Sequence, residues 1–316
     1  MMPALPFLDA DALRSAVTEV ELIDAVEQAY RDVTGGGDAS PSRSRVAMPN
    51  GDLLLMPGLR RGGLGASVKL VTVTPANAAR GLPTIQAIVV WIDAETGAPL
   101  ALLDGTELTA MRTGAGTGAA TRLLARADAS VLALIGAGAQ ALWQVRAVMA
   151  VRPIREVRVY ARGPTRDALA GRLSVGARVV AVGSAREAID GADIVCCATT
   201  SNNPVFDAAW VGPGTHVNAI GAFRPDMVEL PTPLFRRAAL VSVDSRGAAL
   251  AEAGDVLAAI AAGDLVEGDL IEIGSLPRDY AGTRDPEAIT IFKSVGLAIQ
   301  DVAAAELIVA RLLPTV

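Results

Sequence analysis

Residues 132–144, LALIGAGAQALWQ, join an apolar run to a helix-like segment through a glycine-containing turn. The turn fits the pattern G-x-G-x-x-G/A. In that pattern the first glycine permits a tight turn, the second lets a pyrophosphate approach the backbone, and a small last residue lets the helix pack on the strand. Free amides at the helix start then face the phosphate charge. An ordinary tight turn is the alternative in a chain with 31 glycines. The pattern predicts dinucleotide binding by Gly136, Gly138, Ala139 and Gln140.

Strand-like and helical segments alternate from this turn onwards, which supports the dinucleotide interpretation. Continuous apolar runs separated by helical segments are typical of strands buried on both faces of a parallel sheet. The strand-like runs are SVLALIG, EVRVYAR, RVVAVG, DIVCCAT, HVNAIG and ALVSVD. The sequence therefore predicts an α/β fold, with a doubly wound parallel sheet of the Rossmann type over residues 113–293.

The N-terminal part of the chain has a different pattern. Apolar residues three or four apart predict an amphipathic helix over 9–33, which ends at the glycines 35–37. Short β-like runs between 43 and 104 predict a mixed sheet, and the stretch 108–127 predicts a helix. From about residue 285 a last helical pattern passes through Val295, Ile299, Val302 and Leu307, and we expect it to pack on the N-terminal sheet. Residues 1–112 together with 294–316 are thus predicted to form a mixed α+β domain.

Composition narrows the classes of partner. The chain has 28 lysine and arginine residues against 34 aspartate and glutamate residues, with no basic block. This balance argues against nucleic-acid and anionic-membrane partners and favours a small molecule. The adjacent Cys196 and Cys197 cannot form an ordinary disulfide with each other, and the first residues do not resemble a signal peptide. No apolar run has the length of a membrane helix, and one histidine with this cysteine pair leaves no zinc site. We expect a cytoplasmic protein without a metal.

The end of the second strand of this pattern, VRVYARGPTR, bears on the choice of cofactor. An NAD site normally has Asp or Glu there to accept from the ribose 2′-hydroxyl, whereas arginine suits a 2′-phosphate. This chain has Ala161 in that place, followed by Arg162, Thr165 and Arg166. These residues offer guanidinium groups and a hydroxyl to a phosphate, so NADP(H) is favoured and NAD(H) stays an alternative. An ordinary solvated basic loop is the competing interpretation.

Several motifs together resemble the ornithine cyclodeaminase and mu-crystallin family. They are PNGDLLLMPG, GASVKLVTV, GLPTIQAIVVWIDAETGAPLALLDGTELTAMRTGAGT, LIGAGAQ, HVNAIGAFRPDMVEL and ITIFKSVGLAIQD. The resemblance covers residues 40 to 306. It implies a homodimer in which the N-terminal part and the C-terminal helix form the dimerisation domain. It also implies α-amino or α-imino acid substrates, bound between that domain and the Rossmann domain.

The resemblance implies roles for three cationic residues. Arg43 resembles the arginine that holds the substrate carboxylate, although a two-residue slip in the alignment would select Arg45. Lys69 resembles a substrate-binding lysine. A lone cation in a strand run is costly to bury without a partner, and desolvation beside arginines would lower its pKa so that it can donate a proton. A lysine that snorkels along an edge strand is the alternative. Arg112 resembles the arginine at the junction of cofactor and substrate, with a helix-surface ion pair as its alternative.

Smaller groups follow the same resemblance. Thr84, Thr199 and Ser294 resemble positions that line the nicotinamide ribose or amide. Asp301 resembles a family acid, with a helix-surface or ion-pair role as its alternative. His216 is the only histidine, and we expect it to fill a strand position because the family does not place its chemistry there.

Departures from the cyclodeaminase pattern bear on the reaction. Ornithine cyclisation needs one acid for the distal amine and a second acid/base group near the α-carbon. The corresponding positions here are Leu54 and Phe223, although a shifted loop would bring Asp226 near. Replacing two acids by apolar side chains suits a pocket for an apolar or cyclic substrate.

These features predict a reductase that transfers hydride to a C=N bond beside a carboxylate. The substrate class is a small cyclic imino acid such as pyrroline-2-carboxylate or piperideine-2-carboxylate, with Lys69 acting on the imine nitrogen. Reductive amination of an open-chain 2-oxo acid, as by alanine dehydrogenase, uses the same parts. Two further functions stay open on the sequence: ornithine cyclodeaminase activity and NADP-dependent carriage of a ligand.

Overall fold

The computed structural model describes residues 4–163, 165–173 and 176–313. The chain separates into two compact units, Met1–Arg112 with Leu297–Val316, and Thr113–Gly296. The predicted C-terminal boundary between the domains, 293/294, lies three residues before the boundary in the structure, 296/297. Residues 1–3 and 314–316 of the predicted first domain lie outside the described residues. Each unit has its own sheet. The α/β fold class with a Rossmann-type sheet and a second mixed domain is confirmed.

The first unit is built on a mixed sheet in the order β1-β6-β5-β4-β3-β2, in which β1 and β6 are parallel and the other neighbours are antiparallel. Alternating burial along β3 and β4 shows that one face of the sheet is covered and the other is open. Within the described residues its strands are β1 Phe7–Leu8, β2 Ser44–Met48, β3 Gly51–Leu59, β4 Gly65–Val73, β5 Ile85–Asp93 and β6 Pro99–Asp104.

Helices belonging to the first unit include α1 Ala10–Ala16 and α2 Glu19–Gly35. The prediction of one helix over 9–33 was wrong. Val17 is extended and Thr18 forms a capping box with Glu21, which starts a new helix although the apolar spacing continues through the break. Helix α3, Gly105–Leu124, then leads from the first unit into the second.

The second unit has a parallel sheet in the order β13-β12-β14-β11-β10-β7-β8-β9. Alternate residues of β7 enter separate cores: Ala133 and Ile135 enter one, Leu132 and Leu134 the other. This burial on both faces explains the continuous apolar runs in the sequence. The strands described here are β7 Val131–Ile135, β8 Glu156–Tyr160, β9 Arg178–Ala181, β10 Ile194–Cys197, β11 His216–Ala219, β12 Ala238–Val243, β13 Leu270–Glu272 and β14 Ile289–Lys293.

Short helices connect these strands, and the long last helix of the chain returns to the first unit. The connecting helices in the described part are α4 Ala141–Val151, α5 Thr165–Arg172, α6 Ala185–Ile189, α7 Thr232–Arg237, α8 Arg246–Glu252, α9 Gly254–Ala261 and α10 Tyr280–Thr283. Helix α11, Ala298–Leu312, packs on α2, β3 and β4, as expected. A Cβ atom at Gly58 of β3 would lie 2.7 Å from Cγ2 of Val302, so this packing is close.

Strand β14 was missed: for the stretch from about residue 285 the sequence predicted a helix through Val295 and no strand. The run ITIFK is buried throughout and lies between β11 and β12 near the middle of the sheet. Its β-branched residues favour a strand, and helix α11 starts only at Ala298.

Other features of the described residues concern redox chemistry, metals and membranes. Cys196 and Cys197 are free and buried, and burial raises the pKa of the Cys196 thiol to about 12. Within the described ranges, no group of His, Cys, Asp and Glu side chains is arranged to hold a metal ion. No described helix combines the length and the apolar character needed to cross a bilayer.

Candidate functional site

Lys69 lies on the covered face of β4, inside the sheet. Its direct neighbours across the sheet are Met56 of β3 and Val89 of β5, and only 1% of the lysine is exposed. The edge-strand alternative was therefore wrong, because β4 has a strand on each side. An ammonium group among such apolar neighbours requires a charged partner.

That partner is Asp301 of α11, which is fully buried. One carboxylate oxygen, Oδ2, lies 2.7 Å from Nζ of Lys69, and the other, Oδ1, accepts from Nε of Arg112 at 3.0 Å. Nη1 of Arg112 donates to Oε1 of Gln300 at 3.0 Å, and Nε2 of Gln300 donates to Oη of Tyr30 at 2.7 Å. We call Lys69, Arg112 and Asp301 the charged cluster. The helix-surface alternatives for Arg112 and Asp301 were wrong, because both side chains are buried, whereas the ion-pair alternative for Asp301 is confirmed.

The charged cluster has more positive than negative charge. Burial and the positive charges of Arg112 and Arg43 lower the pKa of Lys69 to about 7, although the attraction of Asp301 opposes this shift. The predicted direction of the pKa shift is confirmed. Lys69, Arg112 and Arg43 are cations around the single carboxylate of Asp301, and this surplus of positive charge would attract a second anion. An amine with a pKa near neutrality can also release or take up a proton there.

Arg43 and Arg45, between which the sequence did not decide, have different surroundings. Arg43 is half-buried, and its positive charge contributes to the lowered pKa of Lys69. Arg45 is exposed, and its Nε donates to Oδ1 of Asp52 at 2.7 Å. Leu54 lies on the same face of the sheet as Lys69, one rung away, and is buried. The covered face therefore has an apolar side chain at Leu54, next to the rung of Lys69.

Two buried hydroxyl groups near the charged cluster were missed in the sequence. Oγ of Ser67 and Oγ1 of Thr109 have no hydrogen-bond partner among the described residues. Ser67 precedes Lys69 by two residues on the same face of β4, and Thr109 precedes Arg112 by three on α3. Unsatisfied buried hydroxyls in native proteins are uncommon.

Thr84, which the sequence also brought into question, lies just before β5. Its carbonyl oxygen accepts from the amide of Thr74.

The glycine turn after β7 has the geometry of a phosphate cradle. Gly136 has φ +111°, and a Cβ there would lie 2.5 Å from the carbonyl oxygen of Ala198. An added Cβ at Gly138 would meet no atom of the described chain within 4 Å, so this backbone faces open space. Ala139 is exposed, and Gln140 precedes α4 with no side-chain cap in the described region. The start of α4 therefore presents amides to an anion, and the turn fits a dinucleotide.

The basic loop after β8 holds its two arginines differently. Arg162 and Thr165 are exposed. Nη2 of Arg166 pairs with Asp167 at 3.0 Å, and its Nη1 donates to the carbonyl oxygen of Val182 at 2.9 Å. Arg166 is therefore anchored by its own neighbours, and Arg162 is the more available guanidinium.

Thr199 and Ser294 lie at the carboxyl ends of strands of the parallel sheet. The amide of Thr199 donates to Oε1 of Glu229 at 2.6 Å. Oγ of Ser294 donates to Oδ2 of the buried Asp244 at 2.8 Å, and the same oxygen accepts from the amides of Val295 and Gly296. Ligands bind outside the carboxyl ends of strands in open α/β sheets, so both positions suit a cofactor. Glu229 and Asp244 were not predicted from the sequence.

Phe223, Asp226 and His216 were the other residues that the sequence brought into question. Phe223 packs against one core of the parallel sheet. Asp226 is mostly exposed and accepts from Nη2 of Arg224 at 2.9 Å. His216 occupies a strand position, as expected, and its ring nitrogens contact Thr290 and Asn218. Burial lowers the pKa of His216 to about 3, so this imidazole stays neutral.

Comparison with known proteins gives the family. The profile of the ornithine cyclodeaminase/mu-crystallin family matches residues 7–315, which is nearly the whole chain. The chain belongs to this family.

Relatives within the ornithine cyclodeaminase/mu-crystallin family include reductases and a dehydrogenase. A Delta(1)-pyrroline-2-carboxylate reductase of Bacillus cereus is 37% identical over 313 residues, covering 96% of this chain and 95% of the relative. A Thermococcus litoralis reductase of the same name, solved with NADH and L-proline, has a TM-score of 0.90, 35% identity and 98% coverage of both chains. An archaeal alanine dehydrogenase dimer with bound NAD has a TM-score of 0.87 and 35% identity, covering 98% of this chain and 96% of that one.

Proposed function

We propose that this family member is an NAD(P)H-dependent reductase that converts a small cyclic 2-imino acid, of the pyrroline-2-carboxylate or piperideine-2-carboxylate type, to the cyclic amino acid. The observation that carries the proposal is the charged cluster. It combines surplus positive charge, which suits a carboxylate, with an amine whose pKa of about 7 suits proton transfer. Relatives named for pyrroline-2-carboxylate reduction support the same substrate class.

Arg43 and Arg112 hold the substrate carboxylate. A guanidinium group presents a planar set of donors that pairs with two oxygens at once. Asp301 fixes Arg112 through Nε, so the carboxylate meets a guanidinium that is already oriented. Ser67 and Thr109 have buried hydroxyls that would be satisfied by a polar ligand, which supports binding beside them.

Lys69 gives a proton to the imine nitrogen. A reduced nicotinamide cofactor, when bound, would supply hydride to carbon 2 of the imine. As the C=N bond becomes a single bond, the nitrogen gains electron density and takes the proton from Nζ. Asp301, 2.7 Å from Nζ in the resting protein, keeps the amine in place and stabilises its charged form. The turn at Gly136–Gln140, together with Thr199 and Ser294, would hold that cofactor.

Leu54 and Phe223 exclude the cyclodeaminase reaction from this proposal. Releasing ammonia from ornithine requires acidic groups for a charged distal amine, and these two positions are apolar. Leu54 is buried on the face of Lys69, and Asp226 is exposed and paired with Arg224. A cyclic substrate, which lacks a distal ammonium group, suits such a pocket better.

Reductive amination of an open-chain 2-oxo acid is the second candidate. The archaeal alanine dehydrogenase supports it, because its overall fold and degree of identity resemble those of the reductase relative. The same lysine and arginines serve an open-chain imino acid formed from a 2-oxo acid and ammonia. The two candidates differ in whether ammonia must be added.

NADPH is the preferred cofactor in this proposal, and NADH is accepted. Ala161 stands where an acid would bind the ribose 2′-hydroxyl, so nothing there repels a 2′-phosphate. The exposed Arg162 and Thr165 offer it a guanidinium and a hydroxyl. Arg166 contributes positive charge from a side chain that Asp167 holds in place.

The open face of the mixed sheet forms the interface of a homodimer. This face also carries the polar Thr72 and Gln86, but most of its residues are apolar and half-buried or exposed: Val46, Leu53, Leu55, Val68, Leu70, Ile88, Val90 and Leu102. An open sheet face is usually polar, and a broad apolar one marks a partner surface. The dimer of the alanine dehydrogenase supports a second copy as the occupant.

Light scattering tests this interface with a matched pair of substitutions. Leu70→Glu places a charge at the centre of the face and should give monomers. Val266→Glu, at an exposed valine of the other unit, should leave the dimer intact. Equal dimerisation of both variants would contradict the assignment of the face.

Steady-state kinetics with three substrates test the proposed reaction. The purified chain is assayed with NADPH and Δ1-pyrroline-2-carboxylate, with NADPH, pyruvate and ammonia, and with NAD⁺ and ornithine. We expect the highest kcat/KM with the cyclic imino acid and no ammonia from ornithine. A higher kcat/KM with pyruvate and ammonia would select the second candidate, and ammonia release from ornithine would refute our interpretation of Leu54 and Phe223. Binding without repeated turnover would indicate a carrier.

A further inference from the structure

The loops that follow β7, β10 and β11 touch one another through their backbones. A Cβ at Gly136 would lie 2.5 Å from the carbonyl oxygen of Ala198, and one at Gly221 would lie 2.1 Å from that of Thr199. Gly136 belongs to the phosphate cradle after β7. The loop after β10 therefore lies against the cradle, and the loop after β11 lies against the loop after β10.

Glu229 holds two of these loops with one buried carboxylate. Oε1 accepts from the amide of Thr199 at 2.6 Å, and Oε2 accepts from the amides of Gly221 and Ala222 at 2.7 and 2.9 Å. The side chain is fully buried. Each oxygen thus serves a different loop, and the carboxylate joins the end of β10 to the end of β11.

A buried ion pair lies behind Glu229. Oδ1 of Asp255 accepts from the amides of Glu229 and Leu230 at 2.6 and 2.9 Å, and Oδ2 lies 2.8 Å from Nζ of Lys293. Asp255 and Lys293 are both fully buried. Burial raises the pKa of Glu229; the positive charge of Lys293 opposes this shift, and the negative charge of Asp255 adds to it.

Burying these three charged groups costs desolvation free energy, so we expect a role that offsets the cost. Two buried carboxylates and one buried ammonium lose much hydration, and apolar residues of similar volume often give equal or greater stability. Yet five backbone amides, those of Thr199, Gly221, Ala222, Glu229 and Leu230, are all directed at these carboxylates. The charges therefore fix backbone geometry at the edge of the sheet where a dinucleotide binds.

We propose that Glu229 is a positioning residue that sets the spacing of the loops after β10 and β11, with the Lys293–Asp255 pair holding its main chain. Glu229 acts through the amides of Thr199 and Gly221 and touches neither substrate nor cofactor. Its effect on cofactor affinity rests on the proposed function, whereas its effect on the loops does not.

Glu229→Gln tests this role with little change of shape. The amide has one oxygen, so its NH₂ group must face an N–H donor of one loop, and that loop loses its acceptor. Amide exchange of the protein without cofactor, read by mass spectrometry, should accelerate about tenfold or more in 198–201 or in 220–223. The Kd for NADPH and for NADH, measured by fluorescence, should rise about tenfold, since each tenfold equals about 1.4 kcal/mol. Glu287→Gln, at an exposed glutamate of the same unit, is the matched control and should change neither.

A second variant covers the case in which Glu229→Gln fails to fold. Gly221→Ala keeps the Glu229 side chain but adds a Cβ 2.1 Å from the carbonyl oxygen of Thr199 and 2.6 Å from Oε1 of Glu229. It therefore breaks the contact between carboxylate and loops, and it should accelerate exchange in the same segments. Unchanged exchange in these segments in either folded variant would overturn the proposal. Failure of the unmodified protein to bind NADPH or NADH would instead refute the proposed function, and the exchange result would still decide the role of Glu229.

Discussion

Replacing Lys69 by methionine separates its chemical role from its structural one. The pKa of Lys69 is lowered from 10.5 to about 7, so the folded protein disfavours the charged form of the amine, relative to the neutral form, by roughly 5 kcal/mol. Methionine has a similar length and suits the apolar neighbours Met56 and Val89. Asp301 keeps its ion pair with Arg112 through Oδ1, although Oδ2 loses its contact with Nζ. We expect a change in the melting temperature of only a few degrees.

Catalysis should respond very differently to Lys69→Met. Losing a general acid costs about 10²- to 10⁴-fold in rate, or about 3 to 5 kcal/mol of barrier. The assay follows NADPH absorbance at saturating Δ1-pyrroline-2-carboxylate, with cofactor Kd measured separately. Cofactor affinity should be unchanged, because the cradle at Gly136 belongs to the other unit.

Lys69→Arg is the matched control for charge. Its guanidinium can pair with Asp301 but stays protonated near neutral pH, so it cannot hand over a proton. We expect turnover to be lost in this variant as well. Turnover of Lys69→Met within about tenfold of the unmodified protein would refute proton donation by Lys69, since general-acid catalysis contributes more than that.

Three further predictions concern pH, cofactor choice and the cradle. For imine reduction, kcat/KM should fall tenfold per pH unit above about pH 7, because the donor is the protonated Lys69 amine; a flat profile from pH 6 to 9 would contradict this assignment. Arg162→Ala should lower kcat/KM for NADPH about tenfold or more and change that for NADH little, since a 2′-phosphate loses a charge-assisted contact; equal losses with both cofactors would show that Arg162 does not read the phosphate. Gly136→Ala should abolish detectable NADPH binding in titrations and lower the melting temperature, because φ is +111° and the new Cβ would meet Ala198; normal affinity would contradict the cradle.

Local patterns in the sequence were enough for most of the fold. The glycine turn after β7 and the apolar runs of β8, β10 and β11 are recognisable because a buried parallel strand and its turn have distinctive local requirements. The break between α1 and α2 was missed because apolar spacing continues across Val17 and Thr18. The capping box of Thr18 and Glu21 was the signal that could have revealed it.

Long-range pairing explains the features that local patterns missed. The sequence identified Lys69 as a buried cation that needs a partner, but not which residue pairs with it. The partner, Asp301, lies near the opposite end of the chain, and the sequence did not decide between a surface role and an ion-pair role for it. Strand β14 joins β11 to β12 by tertiary pairing, which no local period predicts. Glu229 accepts from backbone amides of distant loops, and because every residue except proline has such an amide, the sequence does not show which ones it binds.

Deuterium transfer tests the proposed reaction most directly. The protein is incubated with Δ1-pyrroline-2-carboxylate and with NADPH or NADH that carries deuterium at both hydrogens of nicotinamide C4, and the product is analysed by mass spectrometry. The proposed reaction predicts proline that carries one deuterium at carbon 2, formed in step with cofactor oxidation and without ammonia. Proline without deuterium, or no proline with either cofactor, would contradict imine reduction by this chain.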